Sequence, residues 1–400
     1  MEQSDAEFRA EIRAFLAEHL PRDLARRTKL GYHQDRADIE QWTRVLAQKG
    51  GWSVPSWPVE YGGPGWSIAQ RHAFDEECYI AGAPALSPQG TFLTGPIIIA
   101  HGSEEQKKRF LPPIRNGVEF WAQGFSEPEA GSDLASLKTS AVRDGDDYVI
   151  NGTKIWTSHA HQADWLFLLA RTQFEGKPQQ GISMFLVDMK TPGISVRPII
   201  SIDGRHSLNQ VFLENVRVPA ANRVGEENMG WTYAKETLVH ERTFNAEIGR
   251  CANLLNRARD LAQNTFRGNT RLIDDERFAC RLAELEIEFL AHRATLARTL
   301  AEDEAEMDGR NFALPSMLKI KGSELVQQIG ILMVDALGDD ALPYYAEEDY
   351  KFGFPDELPG SDKAPGVASD YLFKKAMTIY GGSNEIQRNI LSRYVLNLPS

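Results

Sequence analysis

The chain has 400 residues, 42% of them hydrophobic and 25% charged, with a formal net charge of -12 at pH 7. This composition is typical of a globular protein of two or three structural units, and its acidic balance does not favour nucleic acid or anionic membranes as partners. Cys78, Cys251 and Cys280 lack metal-site spacing and fit a reduced compartment, and no apolar run reaches the roughly 18 residues of a membrane span. The acidic start does not resemble a signal peptide, so the sequence predicts a cytoplasmic protein.

Residues 1–116 have the pattern of a helical domain. The first apolar stripe recurs at helical spacing and consists of Phe8, Ile12, Phe15 and Leu16. Three further segments are predicted as helices: Ile39 to Lys49, Gln70 to Gly82 and Thr91 to Gly102. Ser103, followed by Glu104, Glu105 and Gln106, predicts a capped helix start.

Residues 117–227 change to short runs of β-forming residues bounded by turns. The predicted strands are 121–126, 139–143, 148–150, 165–170, 182–187, 194–199 and 211–216. Asp144-Gly145-Asp146 and Asn151-Gly152 are both hairpin signals. The pattern predicts a central β-domain.

The helical period returns at residues 228–400. One long helix is predicted from Trp231 to Ala262, and further helices at 276–303, 313–330, 368–380 and 385–395. Pro343 to Pro365, acidic and rich in Gly and Pro, is predicted as an excursion. The chain therefore has an α, then β, then α layout.

Glu241 is the most informative position of the predicted long helix. By the i±3, i±4 and i+7 rule, it shares a face with uncharged residues only, namely Thr237, Leu238, Phe244, Asn245 and Ile248. If that face is buried, desolvation favours a general base near neutrality. The alternative is a carboxylate paired with Arg242 or with an arginine of another chain.

Three stretches have a functional and a plain interpretation. Trp121 to Asp133 is either a strand ending in a polar turn that holds a flat polar ring or an ordinary strand end. Trp156 either stacks on a ring system or belongs to the core. Ile379 to Arg388 has a glycine pair before Ser383 and Asn384, which suits phosphate at a helix N-terminus or a simple loop-to-helix junction.

Other motif searches are negative. The sequence has no Gly-x-Gly-x-x-Gly after a strand, no phosphate-binding loop and no metal-ligand cluster. His159 and His161 have the setting of surface-loop residues rather than ligands.

Four motifs in this order resemble the acyl-CoA dehydrogenase family: Ser126 to Asp133 (SEPEAGSD), Asn151 to Trp156 (NGTKIW), Asn228 to Trp231 (NMGW) and Ile379 to Arg388. The resemblance covers nearly the whole chain. It implies an α+β fold, with an N-terminal helical domain, a central β-barrel-like domain and a C-terminal four-helix bundle. FAD would lie between the β-domain and the bundle, partly against a neighbouring subunit. The reaction would be α,β-dehydrogenation of an acyl-CoA thioester to the 2-enoyl-CoA, with electrons passed to an electron-transferring flavoprotein.

The resemblance also implies roles for individual residues. Phe125 and Ser126 would contact the flavin, Trp156 would pack on it, and Ser158 would approach its reactive edge. Ser132 would lie near the CoA side of the substrate, and Ser383 and Glu385 near the adenosine-phosphate part of FAD. Arg271 is the nearest match to an arginine that commonly contacts FAD, because the usual Arg-x-x-Phe-Gly segment is absent.

The main departure from the family concerns the base. Many members carry a glutamate directly after the tyrosine of the last motif, where this chain has Gly381. A smaller branch places the base on the long helix, followed by arginine, and Glu241-Arg242 matches it. Glu241 would remove the α-proton while the β-hydride passes to the flavin. The Gly381 N–H and a flavin ribityl hydroxyl would stabilise the charge on the thioester oxygen.

The variations resemble bacterial branches with two-subunit enzymes for dicarboxylic or steroid side-chain thioesters, such as the large subunit of pimeloyl-CoA dehydrogenase. They imply a homo-tetramer or a hetero-tetramer with a paralogous subunit. Two alternatives stay open, a flavin monooxygenase or oxidase on the same fold and a non-catalytic partner subunit.

Overall fold

The computed structural model describes residues 4–32, 34–86, 89–241, 246–303, 314–343, 363–364 and 366–398, with only the backbone at 237–241, 301–303 and 314. The N-terminal helices are α1 (Asp5–His19), α2 (Arg22–Lys29), α3 (Arg36–Gln48), α4 (Ile68–Ala81), α5 (Gly95–His101) and α6 (Glu104–Arg115). Capping boxes begin α1 at Ser4, α4 at Ser67 and α6 at Ser103, which confirms the predicted start of α6. The predicted α1 stripe is buried against Trp42, Leu46 and Trp52.

The central unit is a single mixed sheet. Its strands are β1 (Trp121–Gly124), β2 (Ser140–Asp144), β3 (Asp147–Lys154), β4 (Trp165–Arg171), β5 (Ile182–Asp188), β6 (Ile194–Ile200), β7 (His206–Pro219) and β8 (Arg223–Val224). The strand order is β6-β7-β3-β2-β4-β5-β8, and β1 pairs in parallel with β4. β4 and β5 are buried along almost their whole length, which is why both are continuous apolar runs.

The two hairpin predictions have different outcomes. Asp144 pairs with Asp147 across a tight turn in which Gly145 has a φ of 61°, so this hairpin is confirmed. The hairpin at Asn151-Gly152 is wrong, because both residues lie inside β3 at a bulge where the register against β7 shifts. A Cβ on Gly152 would lie 2.4 Å from the Thr139 hydroxyl oxygen, so the glycine allows the neighbouring strand to approach.

The C-terminal unit is a helical bundle. Its helices are α7 (Gly230–Glu241), α8 (Ile248–Asn264), α9 (Glu276–Asp303), α10 (Leu314–Leu337), α11 (Val367–Lys374) and α12 (Asn384–Tyr394). A short hairpin of β9 (Phe266–Arg267) and β10 (Thr270–Arg271) joins α8 to α9. α10 packs against α8, α9 and α12 around a core that includes Leu255, Leu282, Leu325 and Ile329. No helix in the described ranges is long and apolar enough to cross a membrane.

The single long helix predicted from Trp231 to Ala262 is wrong. α7 ends at Glu241 and α8 begins at Ile248, and Glu247 between them has a left-handed φ of 57°. A left-handed residue cannot continue a right-handed helix, so Ile248 does not share a helical face with Glu241. The helix-face argument for Glu241 therefore fails. Arg242 and most of the predicted excursion at 343–365 lie outside the described residues.

Candidate functional site

The ends of β1 and β3 bring two of the sequence motifs together. Lys154, the last residue of β3, donates from Nζ to the Phe125 carbonyl oxygen (3.0 Å) and to Glu127 Oε1 (2.8 Å). The Ile155 N–H donates to the Ser126 carbonyl oxygen at 2.9 Å. Lys154 and Glu127 lie 27 positions apart in the chain, and their contact joins the ends of β1 and β3 beside Ser126.

The Lys154–Glu127 ion pair is buried. The Lys154 side chain is 0% exposed and that of Glu127 is 7% exposed. The carboxylate also accepts from the Lys138 N–H (2.6 Å) and the Thr139 N–H (2.9 Å). Burial lowers the pKa of Lys154 to about 8. Burial opposes the ionised form of Glu127 as well, but the Lys154 charge and these hydrogen bonds outweigh it and hold the Glu127 pKa below its ordinary value.

The loop after Lys154 presents Trp156. Trp156 has a φ of 59° and remains 57% exposed, although an indole of this size is usually covered. Next to it, the Thr157 hydroxyl oxygen is buried without a hydrogen-bond partner among the described residues. An exposed aromatic ring beside an unsatisfied polar atom fits the flat, polar ring system of a flavin. Ser158 follows and is half-buried.

Ser132 lies just after the turn that follows Ser126. Glu127 and Ala130 exchange two backbone hydrogen bonds of 2.9 and 3.1 Å, which close the turn. Ser132 is exposed just beyond it. The turn thus presents Ser126 and Ser132 from one short segment at the end of β1.

The C-terminal motif forms the loop before α12. Gly381 and Gly382 have φ values of 66° and 77°, and a Cβ on Gly382 would lie 2.6 Å from Gln387 Nε2. The Ser383 hydroxyl accepts from the Ile386 N–H at 3.3 Å, so Ser383 is the N-cap of α12. The Glu385 side chain is 76% exposed in the first turn. The arrangement leaves a helix N-terminus of the kind that binds phosphate groups.

A buried polar contact anchors this loop to the bundle. Lys319 Nζ on α10 donates to Asn384 Oδ1 at 2.8 Å, and Ser323 bonds the same side chain. Burial lowers the pKa of Lys319 to about 8. α12 therefore begins at a fixed point against α10.

The position of the predicted base, Glu241, is only partly described. α7 ends at Glu241, but the Glu241 side chain and Arg242 lie outside the description. Tyr380, directly before Gly381, lies within electrostatic range of Glu247 and Arg250 at the start of α8. Tyr380 thus lies near the start of α8.

Sequence reasoning missed a polar cluster where α4 meets α8. Glu247 accepts from Arg250 Nε at 2.6 Å, and Arg250 Nη2 donates to the Tyr79 hydroxyl at 3.0 Å. Burial, followed by the charge of Glu247, raises the pKa of Asp75 to about 7. The only local signals were the i, i+4 spacing of Asp75 and Tyr79 and the i, i+3 spacing of Glu247 and Arg250.

Arg271 lies apart from the other predicted residues. It is in β10, half-exposed, with Nε 2.8 Å from Asp274. No hydrogen bond or ion pair of the described residues joins it to the other predicted site residues. The match of Arg271 to an FAD-contacting arginine thus has no support from contacts among the described residues of this chain.

Comparison with known proteins gives consistent results. Family profiles match residues 2–118 (acyl-CoA dehydrogenase, N-terminal domain), 122–216 (middle domain) and 228–396 (C-terminal domain). Acyl-CoA dehydrogenase IpdE1 of Mycobacterium tuberculosis is 38% identical over 405 residues, covering 99% of this chain and 98% of that protein. These matches confirm the α+β fold expected from the sequence.

Two solved structures are similar over the whole length of both chains. The Tcur3481-Tcur3483 steroid ACAD has 31% identity and a TM-score of 0.84, with 100% of each chain covered. The ChsE4-ChsE5 complex from Mycobacterium tuberculosis has 33% identity and a TM-score of 0.82, again with 100% of each chain covered.

Proposed function

Since this chain belongs to the acyl-CoA dehydrogenase family of FAD-binding flavoproteins and is an acyl-CoA dehydrogenase, we propose how its residues divide the reaction. The observation that carries the proposal is the junction at Lys154. This residue joins the segment of Phe125 and Ser126 to the loop of Trp156 and Ser158, beside the Thr157 hydroxyl, which has no hydrogen-bond partner among the described residues.

These residues make a cradle for a flavin. Bound FAD supplies the acceptor for the β-hydrogen, which leaves the substrate as a hydride. Phe125 and Ser126 would orient the ring through main chain and hydroxyl, Trp156 would cover it, and Ser158 would approach its reactive edge. Ser132 lies towards CoA, while Ser383 and Glu385 serve the adenosine-phosphate part, supported by the N-terminus of α12.

Glu241 is the proposed base, at the end of α7. It takes the α-proton, and the Gly381 N–H donates to the thioester oxygen as negative charge develops there. Arg242 balances the charge or orients the base. This assignment rests on the motif match, and the interaction of Tyr380, the residue before Gly381, with Glu247 and Arg250 at the start of α8 supports it.

The proposed substrate class is a CoA thioester of a steroid side chain. The similarity to a steroid ACAD supports this choice, with dicarboxylic thioesters as the alternative. The polar cluster of Asp75, Tyr79, Glu247 and Arg250 also suits an acyl group that carries oxygen atoms. Electrons would pass to an electron-transferring flavoprotein.

The purified protein is expected to be yellow and to bleach anaerobically with its substrate. The test is a panel of straight, branched, dicarboxylic and steroid side-chain CoA thioesters, with flavin absorbance followed after mixing. We expect the steroid thioesters to reduce the flavin fastest, with slow reoxidation in air. Colourless protein that cannot be reconstituted with FAD would refute the proposal, and rapid reoxidation by oxygen would favour an oxidase or monooxygenase.

We expect an oligomer, either a homo-tetramer or a hetero-tetramer with a paralogous subunit. Two similar structures are described as pairs of different proteins. Apolar side chains are exposed on α9, at Ile287 (66%) and Leu290 (61%), and after α12, at Leu396 (62%). Light scattering of the chain, purified alone or co-expressed with a paralogue, measures its oligomeric state. An active, FAD-saturated monomer would contradict the expected oligomer. A flavin-free protein that is active only with a paralogue would indicate a non-catalytic subunit.

A further inference from the structure

We infer that Asn209 is a positioning residue of the flavin site, which holds the loop of Trp156 and Ser158 against β7 through a contact that acid weakens. The inference rests on the proposed assignment of Trp156 and Ser158 to the flavin. Asn209 is fully buried near the start of β7, in a part of the chain where no functional motif was found.

The loop is attached to β7 at two residues. The Thr157 N–H donates to the Asn209 carbonyl oxygen at 3.0 Å, and Asn209 Nδ2 donates to the Thr157 carbonyl oxygen at 3.0 Å. The His159 N–H donates to the Ser207 carbonyl oxygen at 2.8 Å. Asn209 therefore holds both the N–H and the carbonyl of the residue between Trp156 and Ser158.

The loop needs such a hold because its backbone is strained. Trp156 and His159 have φ values of 59° and 54°, a region that residues other than glycine seldom adopt. Such conformations persist only where the surroundings impose them. Trp156 is 57% exposed, so packing of its own ring does not supply the restraint. The hydrogen bonds to Thr157 and His159 do, and the Asn209 side chain makes one of them.

The chemistry of the partners fixes the orientation of the Asn209 amide. A carbonyl oxygen only accepts, so the group facing Thr157 must be the NH₂ of Asn209. The second hydrogen of that NH₂ then points to His161 Nδ1 at 3.1 Å, which must be unprotonated. His206 Nε2 donates to the Asn209 oxygen at 2.8 Å. The contact thus requires a neutral His161.

Acid acts on this contact through His161. The His161 and His206 rings are stacked with centroids 3.9 Å apart, and the His159 ring is 6.4 Å from that of His161. The charged groups nearby are paired, Arg36 with Asp164 and Arg205 with Asp203. Partial burial of the His161 ring, followed by the charge of His206, lowers the pKa of His161. Protonation of His161 Nδ1 removes the acceptor for one Asn209 NH₂ hydrogen. That hydrogen then faces a positively charged imidazolium, and the repulsion weakens the hydrogen bond from Asn209 to Thr157.

The experiment measures release of FAD from the holoenzyme by flavin fluorescence after dilution, with the absorption spectrum of the bound flavin as a second readout. Asn209→Asp keeps the size but removes the donor to Thr157. Asn222→Asp is the matched control, because the Asn222 amide also donates to a carbonyl, that of Leu186 at 3.0 Å. We expect Asn209→Asp to release FAD about tenfold faster at neutral pH with an altered spectrum, and Asn222→Asp to behave as wild type. Equal release and spectra for the two variants would overturn the inference.

The histidine variants test the acid effect without touching a buried residue, since His161 is exposed. Because the pKa of His161 is lowered, FAD release from the wild type should accelerate in acid with a midpoint below about 6.5, the ordinary pKa of histidine. His161→Gln keeps a neutral acceptor, so it should hold FAD normally at neutral pH and lose the acceleration. His161→Leu removes the acceptor and should release FAD faster at every pH. Unchanged acid acceleration in His161→Gln, or normal neutral release in His161→Leu, would overturn the role of His161.

Trp156→Ala separates this inference from the proposed function. If Trp156→Ala leaves FAD release and the flavin spectrum unchanged, the flavin assignment itself fails. If Trp156→Ala changes both and Asn209→Asp changes neither, only the role of Asn209 fails.

Discussion

Glu241→Gln should lose nearly all anaerobic reduction of its flavin by the true acyl-CoA substrate. Glutamine has the shape of glutamate but cannot accept the α-proton. Removal of a general base typically costs about 10²–10⁴-fold in rate, and more where no other acceptor is in reach. FAD content and acyl-CoA binding should be unchanged, which is checked by absorbance and by binding of a non-reducing thioester. Stopped-flow measurement of flavin bleaching gives the rate.

Glu247→Gln is the matched control, because it removes a carboxylate at the start of the next helix. Glu247 is already bound to Arg250, which in turn donates to Tyr79. We therefore expect a weaker effect on flavin reduction and a change mainly in KM. If Glu247→Gln loses reduction while Glu241→Gln keeps it, the base is Glu247 and the branch match at Glu241 is wrong.

Lys154→Met should give the largest loss of stability. The substitution leaves the Glu127 carboxylate buried without its cation, and breaking one side of a buried ion pair costs about 3–5 kcal/mol. It also frees the Phe125 carbonyl, so FAD content should fall together with the free energy of unfolding. Denaturant unfolding of the apoprotein and flavin absorbance of the purified protein measure the two effects.

Two further variants separate charge from packing. Lys154→Met combined with Glu127→Gln removes both charges and should recover much of the free energy of unfolding. Lys138→Met breaks the exposed Lys138–Glu129 pair nearby and should change the free energy of unfolding little. A stability of Lys154→Met equal to that of Lys138→Met would show that the buried pair does not stabilise the β-domain.

The fold was predictable where its signals are local. The Ser103 cap, the Asp144-Gly145-Asp146 turn and the apolar runs of β4 and β5 depend on neighbouring residues, and all are found as expected. The break before α8 was not predictable, because Glu247 is neither glycine nor proline and nothing in its neighbours indicates a left-handed backbone. Asn151-Gly152 has the local signal of a turn, but pairing with β7 overrides it.

The candidate site divides in the same way. Phe125, Ser126, Trp156 and Ser158 were predicted through a resemblance carried by short contiguous motifs. The residues that hold them, Lys154 against Glu127 and Asn209 against Thr157, meet only when distant strands pair. No periodicity within one element indicates such contacts, so they become visible only in the folded chain.

The carboxyl of Asp75 has a consequence for proton uptake on folding. Its pKa is about 7 in the folded protein and 3.8 as an ordinary aspartate, so between these values the folded chain holds a proton that the unfolded chain has released. The resulting stabilisation is complete below the unfolded value and is lost as the pH rises through about 7. Where the pH dependence is steepest, between the two pKa values, the one extra proton bound by the folded chain changes the free energy of unfolding by about 1.4 kcal/mol per pH unit. The interface of α4 with α8 is thus held more firmly in mild acid than in alkali, which is opposite to the pH dependence of the contact at Asn209.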